Sequence, residues 1–262
     1  MPTNVPLPVP HPDPTPGQAF LTGAKPTPSH KLQALPPYYA LYEPPAMWSR
    51  VPPKLDVWGN STYGDCVSAE EAFAKACYDG NEIFIDASIV VSWARKHGYL
   101  NGADLVEVMD SMAQNGFMVG SQEYKDGPHQ VVNFSDEAQL RSAIAMAPVK
   151  ISIDSSALPS GAGNNQGWWT LGSGRGSNQD HCVALSMYGA AGFIFKMLSL
   201  PLPSGLPADQ DGYGLFTWAT IGFVTHKWLM NSSNEMHVRN PTTIGVPPLI
   251  LPPPPPPPDW RP

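Results

Sequence analysis

Only three cysteines, Cys66, Cys77 and Cys182, occur in 262 residues. So small and odd a number argues against a disulfide-stapled scaffold and leaves at least one free thiol in a monomer. There is no C-x-x-C pair and the seven histidines are scattered, so no structural metal site and no cofactor are expected. Positive charge is scarce too: 15 Lys and Arg stand against 22 Asp and Glu, a formal charge of −7 with no basic run. That balance removes the attraction that draws proteins to nucleic-acid phosphates or to anionic membranes. No stretch approaches the roughly 18 apolar residues of a membrane span, and the opening MPTNVPLPVPHPDP has neither a basic nor an apolar leader region. The expectation is a soluble chain, cytoplasmic or particle-associated.

Proline, by contrast, is abundant and unevenly placed. Of 32 prolines, 15 lie in residues 1–53, 11 in residues 241–262 and only six between. Residues 1–53 therefore read as an extended arm, 54–240 as the folded domain, and 241–262 as a stiff tail. Within the tail, Pro252–Pro258 would span about 22 Å before the aromatic tip at Trp260. Residues 1–53 and 247–262 are candidate docking segments for protein partners. The first arm is also a candidate inhibitory segment lying across a cleft.

Inside the domain, Cys66–Tyr78 places apolar residues at helical spacing, with Gly80 as a stop. Further helices are expected over Ser88–His97, Asp104–Asn115 and Asp136–Met146. Val149–Asp154, Cys182–Tyr188, Gly192–Leu198 and Tyr213–Trp218 read as strands, and TIGFVTHKWLM (220–230) as a helix. Helices followed by strands, without βαβ alternation, predict an α+β fold with two lobes and a cleft between them.

Cys66 falls at a helix N-terminus, where the helix dipole and free N–H groups favour a thiolate. A small buried hydrophobe is the bland alternative for such a cysteine. Acyl transfer by a thiolate also needs an imidazole and an oxyanion donor, which His181 and Asn60 can supply from elsewhere in the chain. Asp65 opposes the dipole, since its charge would raise the thiol.

The segment Gly59-Asn60-Ser-Thr-Tyr-Gly64-Asp-Cys66 resembles the papain-family stretch in which an oxyanion-hole glutamine precedes Gly-x-Cys by six residues. Asp180-His181-Cys-Val-Ala-Leu-Ser-Met-Tyr-Gly189 is similar to that family's Asp-His-Ala-Val strand. Asn101-Gly102-Ala103-Asp104 resembles its Asn-Gly-Gly segment, and Ala147-Pro148-Val149 its Gly-Pro-Val strand. The likeness covers about residues 55–225 and implies a papain-like cysteine peptidase acting on a peptide or protein substrate. It implies Cys66 as nucleophile, His181 as base and Asn60 in the oxyanion hole, with Gly64, Asn101, Gly102 and Asp180 at the substrate. Trp168-Trp169 could wall the same cleft or pack as an aromatic pair.

The chain departs from the family at Tyr63, where a disulfide cysteine would stand, and at Val67, where a tryptophan would. No asparagine occurs in Leu215–Ala219, which leaves Thr217 or Ser199 as the third catalytic member. His226 reads as a surface or packing residue. The stretch WGNSTYGDC also resembles a group of uncharacterised bacterial and phage-encoded proteins. The other reading is a weak or inactive papain-like fold that serves as an assembly protein through its arms.

Overall fold

The structure is a computed structural model that describes residues 20–40, 43–77, 83–174, 176 and 178–241. The polyproline readings of residues 1–19 and of the tail from 242 onward lie outside the described residues.

Three helices build the first lobe. Helix α2 (Cys66–Ala76) follows the alanine-rich run and is buried at every one of its positions, including Glu70, Glu71 and Lys75. Helix α3 (Ala87–His97) stops at Gly98, whose φ of 82° suits a residue without a Cβ. Helix α4 (Leu105–Gln114) is capped by Asp104, whose carboxylate accepts the Glu107 N–H at 2.8 Å. A short hairpin, β4 (Phe117–Val119) and β5 (Gln122–Tyr124), closes this part.

The second lobe is a sheet ordered β6-β12-β7-β9-β10-β11-β8. Its members are β6 (Asp126–Val131), β7 (Val149–Ile153), β8 (Trp169–Thr170), β9 (His181–Ala190), β10 (Asp211–Thr217), β11 (Thr220–Val224) and β12 (Ser233–Pro241). Helix α5 (Glu137–Met146), capped by Asp136, packs on β9. The register Ile153↔His181 in β7–β9 and Phe216↔Ala184 in β9–β10 sets the ends of the three central strands side by side.

Two expectations fail here, each for a packing reason. Gly192–Leu198 is not a strand but helix α6 (Ala191–Met197), because Ala191, Ile194, Phe195 and Leu198 recur at helical spacing and are all buried. Thr220–Val224 begins no helix. It is strand β11, buried at all five positions and paired along its length with β10; the helix, α7 (His226–Ser232), starts only beyond it.

Residues before the domain dock on it. Strand β1 (Ala24–Lys25) runs parallel to β3 (Ala103–Asp104), helix α1 (Ser29–Ala34) follows, and β2 (Trp48–Ser49) adds to β9. Tyr38 is 5% exposed and its hydroxyl meets Ser142 Oγ at 2.9 Å.

What fixes α2 against the sheet is a group of fully buried charges. Arg239 of β12 holds Glu70 with one nitrogen at 2.7 and 2.8 Å and Glu71 with the other at 2.8 Å. Lys150 of β7 reaches Glu71 at 2.5 Å, Glu70 at 3.1 Å and the Val67 carbonyl at 2.9 Å. Lys75 pairs with Asp126 of β6 at 3.0 Å. Phe73 stacks on Phe216 of β10 at 3.9 Å between centroids, and Trp58 meets the edge of the same ring.

Removing one partner of such a group strands the opposite charge in the interior. Lys150→Met is expected to cost about 3–5 kcal/mol in urea denaturation. A loss below about 1 kcal/mol would show that Arg239 alone satisfies both glutamates.

Candidate active site

The site forms where the first turn of α2 meets the first residues of β9. Cys66 opens α2 and is 2% exposed, and its sulphur accepts the Cys182 N–H at 3.4 Å. His181 is the next residue back along β9 and is fully buried. Its Nε2 lies 2.8 Å from Thr217 Oγ1, at the end of β10, while Nδ1 has no hydrogen-bond partner among the described residues. A hydroxyl can accept from an imidazole N–H, and with Nε2 donating to Thr217 the lone pair sits on Nδ1. Trp218 stacks over the imidazole at 4.5 Å and 22°. That places an indole between solvent and the His181–Thr217 bond.

Ser199, the other option for the third member, lies elsewhere. It is exposed, at φ 58° beyond α6, with its N–H on the Lys196 carbonyl. The reversal of 192–198 from strand to helix carried it away.

Asn60 is buried in the turn before α2, and its side-chain amide donates to the Tyr63 carbonyl at 3.0 Å. The amide carries a second hydrogen. Gly64 donates to the Leu100 carbonyl at 2.9 Å, which ties the turn to the loop holding Asn101 and Gly102. Asn101 is exposed. Trp168 is a packing residue: its indole is 6% exposed and donates to Thr220 Oγ1 at 3.1 Å, beneath the hairpin that presents Thr217. Trp169 sits half-buried in β8 against β11.

The cleft is occupied by the chain itself. The Leu21 N–H bonds the Asn60 carbonyl at 3.0 Å, and the Leu21 carbonyl accepts from the Trp218 indole at 3.2 Å. The N–H groups of Gly23 and Ala24 both point at the Asp180 carbonyl, at 2.8 and 2.9 Å, and the Gly23 carbonyl accepts from Ala103 N at 3.0 Å. Residues 20–25 thus bridge the two lobes across Cys66. Gly23 is packed directly on the backbone of Gly64; a Cβ there would overlap the Gly64 carbonyl. Asp180 holds this acceptor in place through its carboxylate, which takes Ser155 N and Ser155 Oγ at 2.8 Å each.

Burial governs the ionisation. It pushes the Cys66 thiol up to about 12; the Cys182 N–H pulls down, the Asp65 charge pushes up, and the N–H groups of Gly23 and Ala24 pull down. Burial also pulls His181 down to about 4, with Asp180 opposing. At neutral pH the closed site therefore holds a neutral thiol and a neutral imidazole. The sequence pointed to the pair, to Thr217 and to an arm that could lie across a cleft, but not to the stacking role of Trp218 or to Leu21–Ala24 as the part of the arm that makes the contact.

No protein-family model matches the sequence, and no curated protein matches it. Solved structures do match. Digestive procathepsin L2 from Tenebrio molitor larval midgut is 14% identical over 86% of this chain and 80% of its own, with a TM-score of 0.57. A ragweed pollen allergen cysteine protease in its proform is 14% identical over 77% of this chain and 67% of its own, TM-score 0.55. A Carica candamarcensis cysteine protease is 14% identical over 76% of this chain and 99% of its own, TM-score 0.53. At such identities the likeness concerns the fold alone: this chain has the papain-like α+β fold in two lobes.

Proposed function

We propose that this protein is a thiol hydrolase of peptide or related amide bonds, held latent in the form described by its own residues 20–25. The observation that carries the reading is the junction of α2 with β9. It brings the Cys66 sulphur within 3.4 Å of Cys182 N while the adjacent His181 is oriented by Thr217. In the reaction the sulphur attacks the substrate carbonyl and its proton passes to His181 Nδ1. The C–N bond then breaks, the proton leaves with the amine, and water hydrolyses the thioester. The Cys66 N–H and the free hydrogen of Asn60 are the oxyanion donors. Gly64, Gly102 and the Asp180 carbonyl line the path of the peptide backbone, where Gly23 now runs.

The occupied cleft also favours the alternative, a papain-like fold retained for assembly through residues 1–53 and 247–262. The two differ in what happens when the strap leaves. Deleting residues 1–25 should speed iodoacetamide labelling of Cys66 by about tenfold or more, and His181→Ala should reverse the gain. Labelling unchanged by the deletion would sink the latent-enzyme reading.

In the deleted protein, acting on a peptide mixture, Asn60→Ala is expected to lower kcat by about 10²- to 10³-fold. Thr217→Val should lower kcat/KM by about 10²- to 10⁴-fold with little change in KM. Steady-state kinetics against Cys66→Ala as the blank would check both. An unaltered rate in Asn60→Ala would remove the oxyanion role.

A further inference from the structure

Asp65 stands immediately before Cys66, in the N-cap position of α2, yet it caps nothing. Its side chain makes no bond to the first turn, and its backbone, at φ −103° and ψ 24°, is outside the extended region usual for a cap. The residue is 1% exposed, and neither carboxyl oxygen has a hydrogen-bond partner among the described residues. The carboxyl is turned under Gly59, where an added Cβ would lie 2.8 Å from Oδ2 and 2.5 Å from the Val91 side chain of α3.

A carboxyl so placed is costly to ionise. Burial pushes it up to about 7, its own backbone N–H pulling back, and Cys66 is the group that feels its charge, in the upward direction. The other acids of the helix, Glu70 and Glu71, are neutralised by Arg239 and Lys150. Asp65 has no such counter-ion among the described residues.

We propose that Asp65 is a proton-operated gate on the Cys66 thiol. While it holds its proton, only burial opposes the pull of the helix N-terminus and the Cys182 N–H on the sulphur. Once ionised, it adds a negative charge beside the sulphur and pushes the thiol further up than burial alone does. The thiolate population then rises more slowly with pH than the thiol alone would give, and a hydrolase built on it flattens or falls above neutrality. This rests on reading Cys66 as a thiolate nucleophile. It makes Asp65 a positioning residue that acts through the sulphur's charge.

The test compares the full-length protein with Asp65→Asn. Iodoacetamide labelling of Cys66 is read by peptide mass spectrometry at about pH 6 and about pH 8.5, on either side of the carboxyl's titration. The two proteins should label within about twofold of each other at the lower pH, and the variant about tenfold faster at the higher. A variant that merely loosens the packing or releases residues 20–25 labels faster by the same factor at both pH values, and that result overturns the proposal. Infrared spectroscopy gives a second reading. Burial also pushes the Asp126 carboxyl up, to about 6, so the expected result is a protonated-carboxyl C=O band that the wild-type protein shows at about pH 6 and loses by about pH 8.5, and that Asp65→Asn lacks. No such band in the wild-type protein, or one that Asp65→Asn keeps in full, also overturns the proposal. Neither readout needs turnover, so a protein that labels as expected but hydrolyses nothing would separate the gate from the proposed hydrolase.

Discussion

Everything at the site depends on where α2 is held. A helix buried on all sides cannot be oriented by an amphipathic stripe, and α2 has none: its Glu70, Glu71 and Lys75 are as buried as its alanines. The orientation comes instead from ion pairs whose geometry is narrow. Arg239 takes two carboxylates with two nitrogens, and Lys150 adds the Val67 carbonyl, one residue beyond Cys66. Because both cations are carried by strands of the sheet, the first turn of α2 is located relative to β7 and β12, and through the strand register relative to β9. Buried pairs of this kind contribute little net stability, but a wrong arrangement leaves charges unpaired, so they select one packing.

The second constraint is the short segment that crosses the cleft. It joins the lobes with backbone hydrogen bonds on both sides, from Asn60 and Ala103 on one and from Asp180 on the other. The N–H groups of Gly23 and Ala24, which donate to the Asp180 carbonyl, also pull the Cys66 thiol down. Exclusion of water by the strap and by Trp218 also explains why the thiol is pushed up and the imidazole pulled down. In the proposed hydrolase, a thiolate–imidazolium pair would belong to the open cleft, where solvent and substrate replace Leu21–Ala24.

Much of the fold was legible in the sequence because its local signals are strong. Asp104 and Asp136 start helices as caps, Gly98 ends one, and the apolar runs at 149–153 and 181–190 form central strands. The misreadings have a common cause. The segments 191–197 and 220–224 are both short and apolar, where propensity and periodicity are ambiguous, and each was decided by its neighbours: β9 and β10 pack α6, and β10 pairs with β11. Correcting the first also moved Ser199 out of reach and left Thr217 as the side chain at His181 Nε2.

By itself the sequence determined the α+β class, the helices α2–α5, the central strands β7, β9 and β10, and the residue types the chemistry requires, because these follow from periodicity and spacing along the chain. It named Cys66, His181, Asn60 and both candidates for the third member, and it suggested that an arm of unusual composition could lie across a cleft. Only the tertiary structure decided which residues meet: Thr217 with His181, Asp180 with Gly23, and Asp65 with no hydrogen-bond partner among the described residues. Those outcomes rest on contacts between residues tens to more than a hundred positions apart, and on burial, which sets ionisation and is a property of packed neighbours rather than of any local run.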